Sequence, residues 1–220
     1  MSVTPESVKA LLEAEDFGQR LRGVNQLREL EPATAFDLIQ PVITDSNVRV
    51  RYAAVSQLSS LGGQDRDVSL QVLRDRLNND PETDVKAAAA DSLAALKLTE
   101  AFDDMQTVFN STQEWLLQFS IAAALGELGD PRGFELLQNA IQSENELVRT
   151  AAIGALGELG DPRAISLLAP FVEDSDWQVR YRVVQALGRM KQDPEAHQLI
   201  EGMLGDKAEP VAQEARNAIA

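Results

Sequence analysis

Apolar residues recur along the chain at helical spacing. Val179, Val183, Ala186 and Leu187 stand at i, i+4, i+7 and i+8, the mark of a helix that buries one face. The stretch "QVRYRVVQALGRMK", opened by Val179, repeats "LVRTAAIGALGELG", opened by Val148, 31 residues earlier. Leu117 opens "LLQFSIAAALGELG" another 31 residues before that. Val50, Val85 and Val211 open comparable stretches, and "RLRGVNQLREL" matches weakly near the N-terminus. A second amphipathic stretch, such as "PRGFELLQNAIQ" or "PRAISLLAPFVE", lies between each pair of these segments. The pattern predicts antiparallel helix pairs, A followed by B, with unit boundaries near 1–30, 31–62, 63–97, 98–129, 130–160, 161–191 and 192–220. Stacked helix pairs of this length make an all-α solenoid, expected here as one right-handed superhelix with the B helices lining its concave face. No alternating strand pattern competes.

The joints between units have their own signature. Gly-Glu-Leu-Gly-Asp-Pro-Arg occupies 126–132 and again 157–163. Gly129 and Gly160 are placed to close a B helix in the left-handed conformation. Asp130 and Asp161 are then expected to cap the next helix, with Pro131 and Pro162 at its first position. A phosphate-cradling loop would need more glycines and a preceding strand. Within each pair, Asp45, Asp80, Asp174 and Asp206 precede the B helices, with Ser111 and Ser143 read as their stand-ins. Arg51, Lys86, Arg149 and Arg180 each follow the apolar opener by one residue. An acidic ladder beside a basic one predicts ion pairs from unit to unit, each worth about 0–1 kcal/mol if exposed. Val50 and Val85 are 35 apart, and the excess falls in "GGQDRD", where a longer loop is expected.

Composition narrows the function classes. The net charge is −15, which repels nucleic acid and anionic lipid and favours partners with basic patches. With no cysteine, disulfides, thiolate metal sites and cysteine nucleophiles are excluded. The N-terminus lacks the basic and apolar regions of a signal peptide, and no apolar run reaches the ~18 residues of a bilayer span. A cytoplasmic protein without membrane insertion is expected. The single histidine, His197, has no second ligand at helical spacing, so no metal site is expected. Asp103 and Asp104 diverge around a helix, and Ser59 and Ser60 have no base nearby in sequence; no catalytic residue stands out. Polar residues at both ends (Lys9, Glu13, Gln213, Glu214, Arg216) suit the caps of a finite array, hence a monomer or weak dimer.

The repeat V-R-x-x-A-A-x-x-A-L-G-x-L-G-D-P-R, nearly complete at 147–163, resembles the HEAT-like repeats of the phycobilisome lyase class. These are cyanobacterial proteins that attach or remove bilins on phycobiliproteins. "MSVTPESVKALL", "NVRVRYAAVSQL" and "EWLLQFSIAAALGELGDPRGFELLQ" are similar to NblB-type phycobilisome degradation proteins. The resemblance implies phycobiliprotein subunits as partners, lyase-like chromophore detachment, and transient contact with a bilin such as phycocyanobilin. A related group is linked to iron–sulfur assembly; with no cysteine, this chain cannot ligate a cluster through thiolates. A non-enzymatic adaptor for protein clients is the alternative.

On the concave face, Tyr52, Phe119, Thr150 and Tyr181 follow their openers by two residues, and Ser56, Ala123, Gly154 and Gln185 lie four further on. Residues i and i+4 share a helix face, so bulky groups beside mostly small ones predict a grooved wall. Trp115 and Trp177 each precede their opener by two, and Trp177, Arg180, Tyr181 and Arg182 cluster in sequence. An open-chain tetrapyrrole has a flat conjugated body and two propionates, for which aromatic faces and arginines are complementary. Tyr52, Trp115, Phe119, Trp177, Arg180, Tyr181 and Arg182 are therefore the candidate binding residues. The same groups also suit a protein anchor.

Overall fold

A computed structural model describes residues 3–220. Among these residues there are α-helices, short 3-10 turns and no strand. The helices alternate as A and B: α1 (Pro5–Leu12) and α2 (Phe17–Gln26), α3 (Pro32–Ile39) and α4 (Val48–Leu61), α5 (Arg66–Asn79) and α6 (Thr83–Ala95), α7 (Phe102–Ser111) and α8 (Trp115–Leu128), α9 (Gly133–Ala140) and α10 (Glu146–Leu159), α11 (Ala164–Leu168) and α12 (Trp177–Gly188), α13 (Pro194–Gly202) and α14 (Glu209–Ile219). This is the all-α solenoid that the periodicity predicts. The chain forms two compact units, Met1–Leu117 and Gln118–Ala220. In the first, α4 packs on α2 and α6; in the second, α12 packs on α10 and α14. All six openers, Val50, Val85, Leu117, Val148, Val179 and Val211, are buried. Pro41 and Pro170 lack the N–H that a continuing helix requires, and α3 and α11 run on as the 3-10 turns Gln40–Thr44 and Ala169–Glu173.

The open loop expected at "GGQDRD" is not there. Gly62–Gln64 form a 3-10 turn, Asp65 caps α5 through the Val68 N–H, and the Ser69 hydroxyl donates to the Gly62 carbonyl at 2.9 Å. The extra residues lengthen α5 to 14 residues. Gly62 is tucked so close to Leu96 that a Cβ would lie 2.6 Å from it.

The joints also differ in part. Gly129 and Gly160 adopt φ of +74° and +67°, as a helix stop requires. The next helices start later than expected, at Gly133 and Ala164. Asp130-Pro131-Arg132 makes a turn before α9, with the Gly133 N–H donating to the Asp130 carbonyl. The Asp130 carboxylate accepts from the Arg132 N–H at 2.9 Å and from its guanidinium at 2.6 Å; Asp161 and Arg163 repeat the arrangement. Proline fits there because the first turn leaves its nitrogen without a partner. The first glycine of the phrase has another role. Gly126 and Gly157 are inside B helices, and a Cβ on either would lie 2.6 and 2.5 Å from the Cα of Ala155 and Ala186 in the next B helix.

The charge ladder is real, but it is not an exposed one. Arg51 forks onto Asp80 at 3.0 and 3.1 Å, and its other nitrogen donates to the carbonyls of Asp45 and Ser46. Arg180 repeats this with Asp206 at 2.7 and 2.8 Å and the carbonyls of Asp174 and Ser175. Arg20 is a member that the sequence reading missed, forking onto Asp45 at 2.6 and 2.9 Å. Each arginine ties its own A–B loop to the Asp of the next repeat. The acids are not helix caps, because the caps are two residues further on, at Asn47, Asn145 and Asp176. Instead they accept from the cap residue's N–H, as Asp45 does from Asn47 at 2.8 Å. Thr112, not Ser111, holds this place before α8, accepting from the Glu114 N–H at 3.1 Å. Arg149 holds its own loop but reaches only Glu146, at 3.9 Å.

These contacts set an acid response. The Arg180 hydrogen bonds hold the Asp206 carboxyl below its ordinary 3.8. Burial pushes Asp45 and Asp80 up, but hydrogen bonds from Arg20 and Arg51 outweigh it and leave both lowered. A carboxyl with a lowered folded-state value stabilises above its unfolded value and loses that contribution as pH falls through the folded one. Thermal unfolding across pH should show stability from these groups intact at neutral pH and falling steeply below about pH 4.

Candidate functional site

Phe119 and Ala123 on α8, Thr150, Ala151, Gly154, Ala155 and Glu158 on α10, and Arg182 on α12 line a groove of about 210 Å³ in the second unit. Helical spacing places Phe119 beside Ala123 and Thr150 beside Gly154. This is the wall of large and small groups that the sequence predicts. The floor exists because small residues are aligned across neighbouring B helices. A Cβ on Gly154 would meet nothing within 4 Å, so this glycine leaves space where Gly157 fills a contact. Arg182 is exposed, and its guanidinium reaches the Gln185 side chain at 3.2 Å. Glu158, which the sequence analysis did not single out, brings a carboxylate to the groove and pairs with Arg189 at 3.6 Å. The groove thus offers one aromatic face, one guanidinium and one carboxylate.

The other candidates are distributed differently. Tyr181 is half-buried on α12, its hydroxyl donating to Glu214 at 3.3 Å. Trp177, next to the cap Asp176, is 43% exposed on the first turn of α12. Arg180 is buried, 2% exposed, with its guanidinium held by Asp206 and two carbonyls. No face of it is open to a ligand, so its place next to Tyr181 in sequence does not become a place beside it in the site. In the first unit, Tyr52 and Trp115 are each 45% exposed, at the starts of α4 and α8. Sequence equivalence, Trp115 with Trp177, thus yields equal exposure.

The remaining polar candidates are accounted for locally. His197 lies 3.5 Å from Glu201, Asp104 pairs with Arg74 at 2.7 Å, and Ser59 and Ser60 donate to the carbonyls of Ser56 and Gln57. Among the described residues no group of acids and histidine could hold a metal ion, and no helix is long and apolar enough to cross a membrane.

Solved structures share this architecture. The complex of CpcE and CpcF of phycocyanin lyase from Nostoc sp. PCC7120 matches with a TM-score of 0.67 and 21% identity, covering 100% of this chain and 94% of the other. The archaeal HEAT-like repeats protein from Thermococcus onnurineus NA1 matches with a TM-score of 0.57 and 11% identity over 100% of both chains. An engineered protein matches at 0.59 and 18% identity, over 97% of this chain and 67% of its own. At these identities the likeness is one of fold. No curated protein matches the sequence at a significant level. The family model described as HEAT repeats matches residues 4–94, 70–155, 108–173 and 135–220. The paired helices, the buried openers and this end-to-end match agree, and the chain belongs to the HEAT repeats family.

Proposed function

We propose that the chain binds phycobiliproteins and handles their bilin chromophores, with lyase-like chromophore detachment during phycobilisome degradation as its task. The observation that carries this reading is the groove lined by Phe119 and Arg182 together with the smaller Ala123, Thr150 and Gly154. A bilin offers a flat conjugated body and acidic side arms, which those two groups match in kind. The fold shared with a phycocyanin lyase complex supports the same reading. At about 210 Å³ the groove is smaller than the ~300–1,000 Å³ of sites that enclose a whole small molecule. It suits part of a chromophore presented by its carrier protein.

The test mixes the purified protein with phycocyanin and records the bilin absorbance together with complex formation. The wild type is expected to bind and shift the absorbance. Gly154→Leu should fill the groove, keep the helix, and lose most of the shift. Spectra that stay unchanged with no complex formed would sink the proposal.

A second reading, a non-enzymatic adaptor, is favoured by Leu147 and Trp177, which are 50% and 43% exposed on the first turns of α10 and α12. Exposed tryptophan is the side chain that most often anchors a protein interface. It predicts a stable complex with unaltered chromophore spectra, weakened about tenfold or more by Trp177→Ala.

A further inference from the structure

The ladder of arginines and acids has a break in the first unit, and the break is open. At the position filled by Arg20 and Arg51 in the preceding repeats, α6 carries Lys86; at the position of Asp45 and Asp80, the next repeat carries Thr112. The Lys86 ammonium donates to the Asn78 carbonyl at 3.1 Å and forms no ion pair with any described residue. An ammonium has three donors and cannot fork onto two oxygens as a guanidinium does. Around it lies a notch of about 640 Å³, lined among others by Thr107, Ser111, Thr112 and Glu114. That volume falls within the range of small-molecule sites. Asp80 also faces the notch, but Arg51 and Arg76 already neutralise it. Glu114 is exposed on the rim and opposes an anion.

We propose that this notch is a binding site for the carboxylate of a small organic ligand. The incoming group takes the place that Asp45 and Asp80 occupy in the neighbouring repeats, accepting from the N–H donors of the Lys86 ammonium that the Asn78 carbonyl does not use. The site needs no catalytic role for Lys86. It goes beyond the bilin reading, because any ligand with a projecting carboxylate satisfies it; a bilin propionate is one source.

The test uses two variants. Thr112→Asp restores the missing carboxylate within the chain, and its folding is expected because Asp stands at the equivalent position in other repeats. Lys86→Met keeps the apolar stem and removes the charge. Biliverdin, its dimethyl ester and glutarate are the probes, the first two read by absorbance titration and the third by thermal shift against sodium chloride of equal ionic strength. Biliverdin is expected to bind the wild type about tenfold more tightly than either variant, with the ester indifferent to both substitutions, and Glu114→Gln should tighten biliverdin about threefold. Affinities for biliverdin that match across wild type and variants, or losses equal for acid and ester, overturn the proposal. If biliverdin fails to bind the wild type, a free bilin is not the ligand of the notch. The notch then stands if glutarate raises the melting temperature of the wild type but of neither variant, and falls if all three respond alike.

Discussion

Arg180→Met is expected to lower the stability of the folded chain by about 3–5 kcal/mol, the usual cost of stranding one partner of a buried ion pair. Arg180 is 2% exposed, and among the described residues it is the arginine that forks onto the Asp206 carboxylate. Removing it takes two hydrogen bonds from that carboxylate and frees the carbonyls of Asp174 and Ser175. Urea denaturation gives the value. A companion variant, Arg180→Met with Asp206→Leu, should recover most of the loss, since an apolar pair of similar volume often replaces a buried ion pair without cost. The single variant should also show a shallower loss of stability below about pH 4, because Arg180 no longer lowers the Asp206 carboxyl. If instead Arg180→Met unfolds like the wild type but no longer binds phycocyanin, Arg180 belongs to the recognition surface and the ladder reading of it is wrong.

Gly157→Val should cost about 3 kcal/mol, while Gly154→Ala, three residues earlier on the same helix, should stabilise by about 0.5–1 kcal/mol. A Cβ at 157 would stand 2.5 Å from the Cα of Ala186, and backbone cannot step aside as a side-chain tip can. Valine adds two methyls to that collision and forces α10 away from α12. At 154 a Cβ meets nothing, so alanine there only removes the conformational freedom that glycine gives the unfolded chain. Thermal melts of the two variants check the opposite signs. A Gly157→Val protein as stable as the wild type would mean that α10 and α12 do not approach as closely as described.

The groove and the notch differ in how far the sequence discloses them. Phe119, Thr150 and Gly154 fall on one face by spacing alone, so the groove wall can be anticipated. Glu158, four residues beyond Gly154, falls on that same face by the same spacing; its pairing with Arg189 at 3.6 Å is what only the stacked helices reveal. Arg180 and Arg182 are two residues apart and look like one cluster in sequence, yet two steps around a helix turn them about 200° apart. One is sealed against Asp206 and the other faces solvent. Ser111 and Thr112 are equally fit for the place before α8 by residue type, and the hydrogen bond from the Glu114 N–H assigns it to Thr112.

Residue order alone is enough for the number and type of helices, the apolar openers that are buried, and the glycines that end α8 and α10. Each depends on neighbours within one turn, where spacing, backbone freedom and capping act locally. Which glycine is a contact and which a space, which arginine is buried, and where the ladder lacks an acid follow from packing between repeats. Those outcomes depend on what the next repeat places opposite each residue, 25 to 29 positions away, and no local preference of the chain encodes that distance.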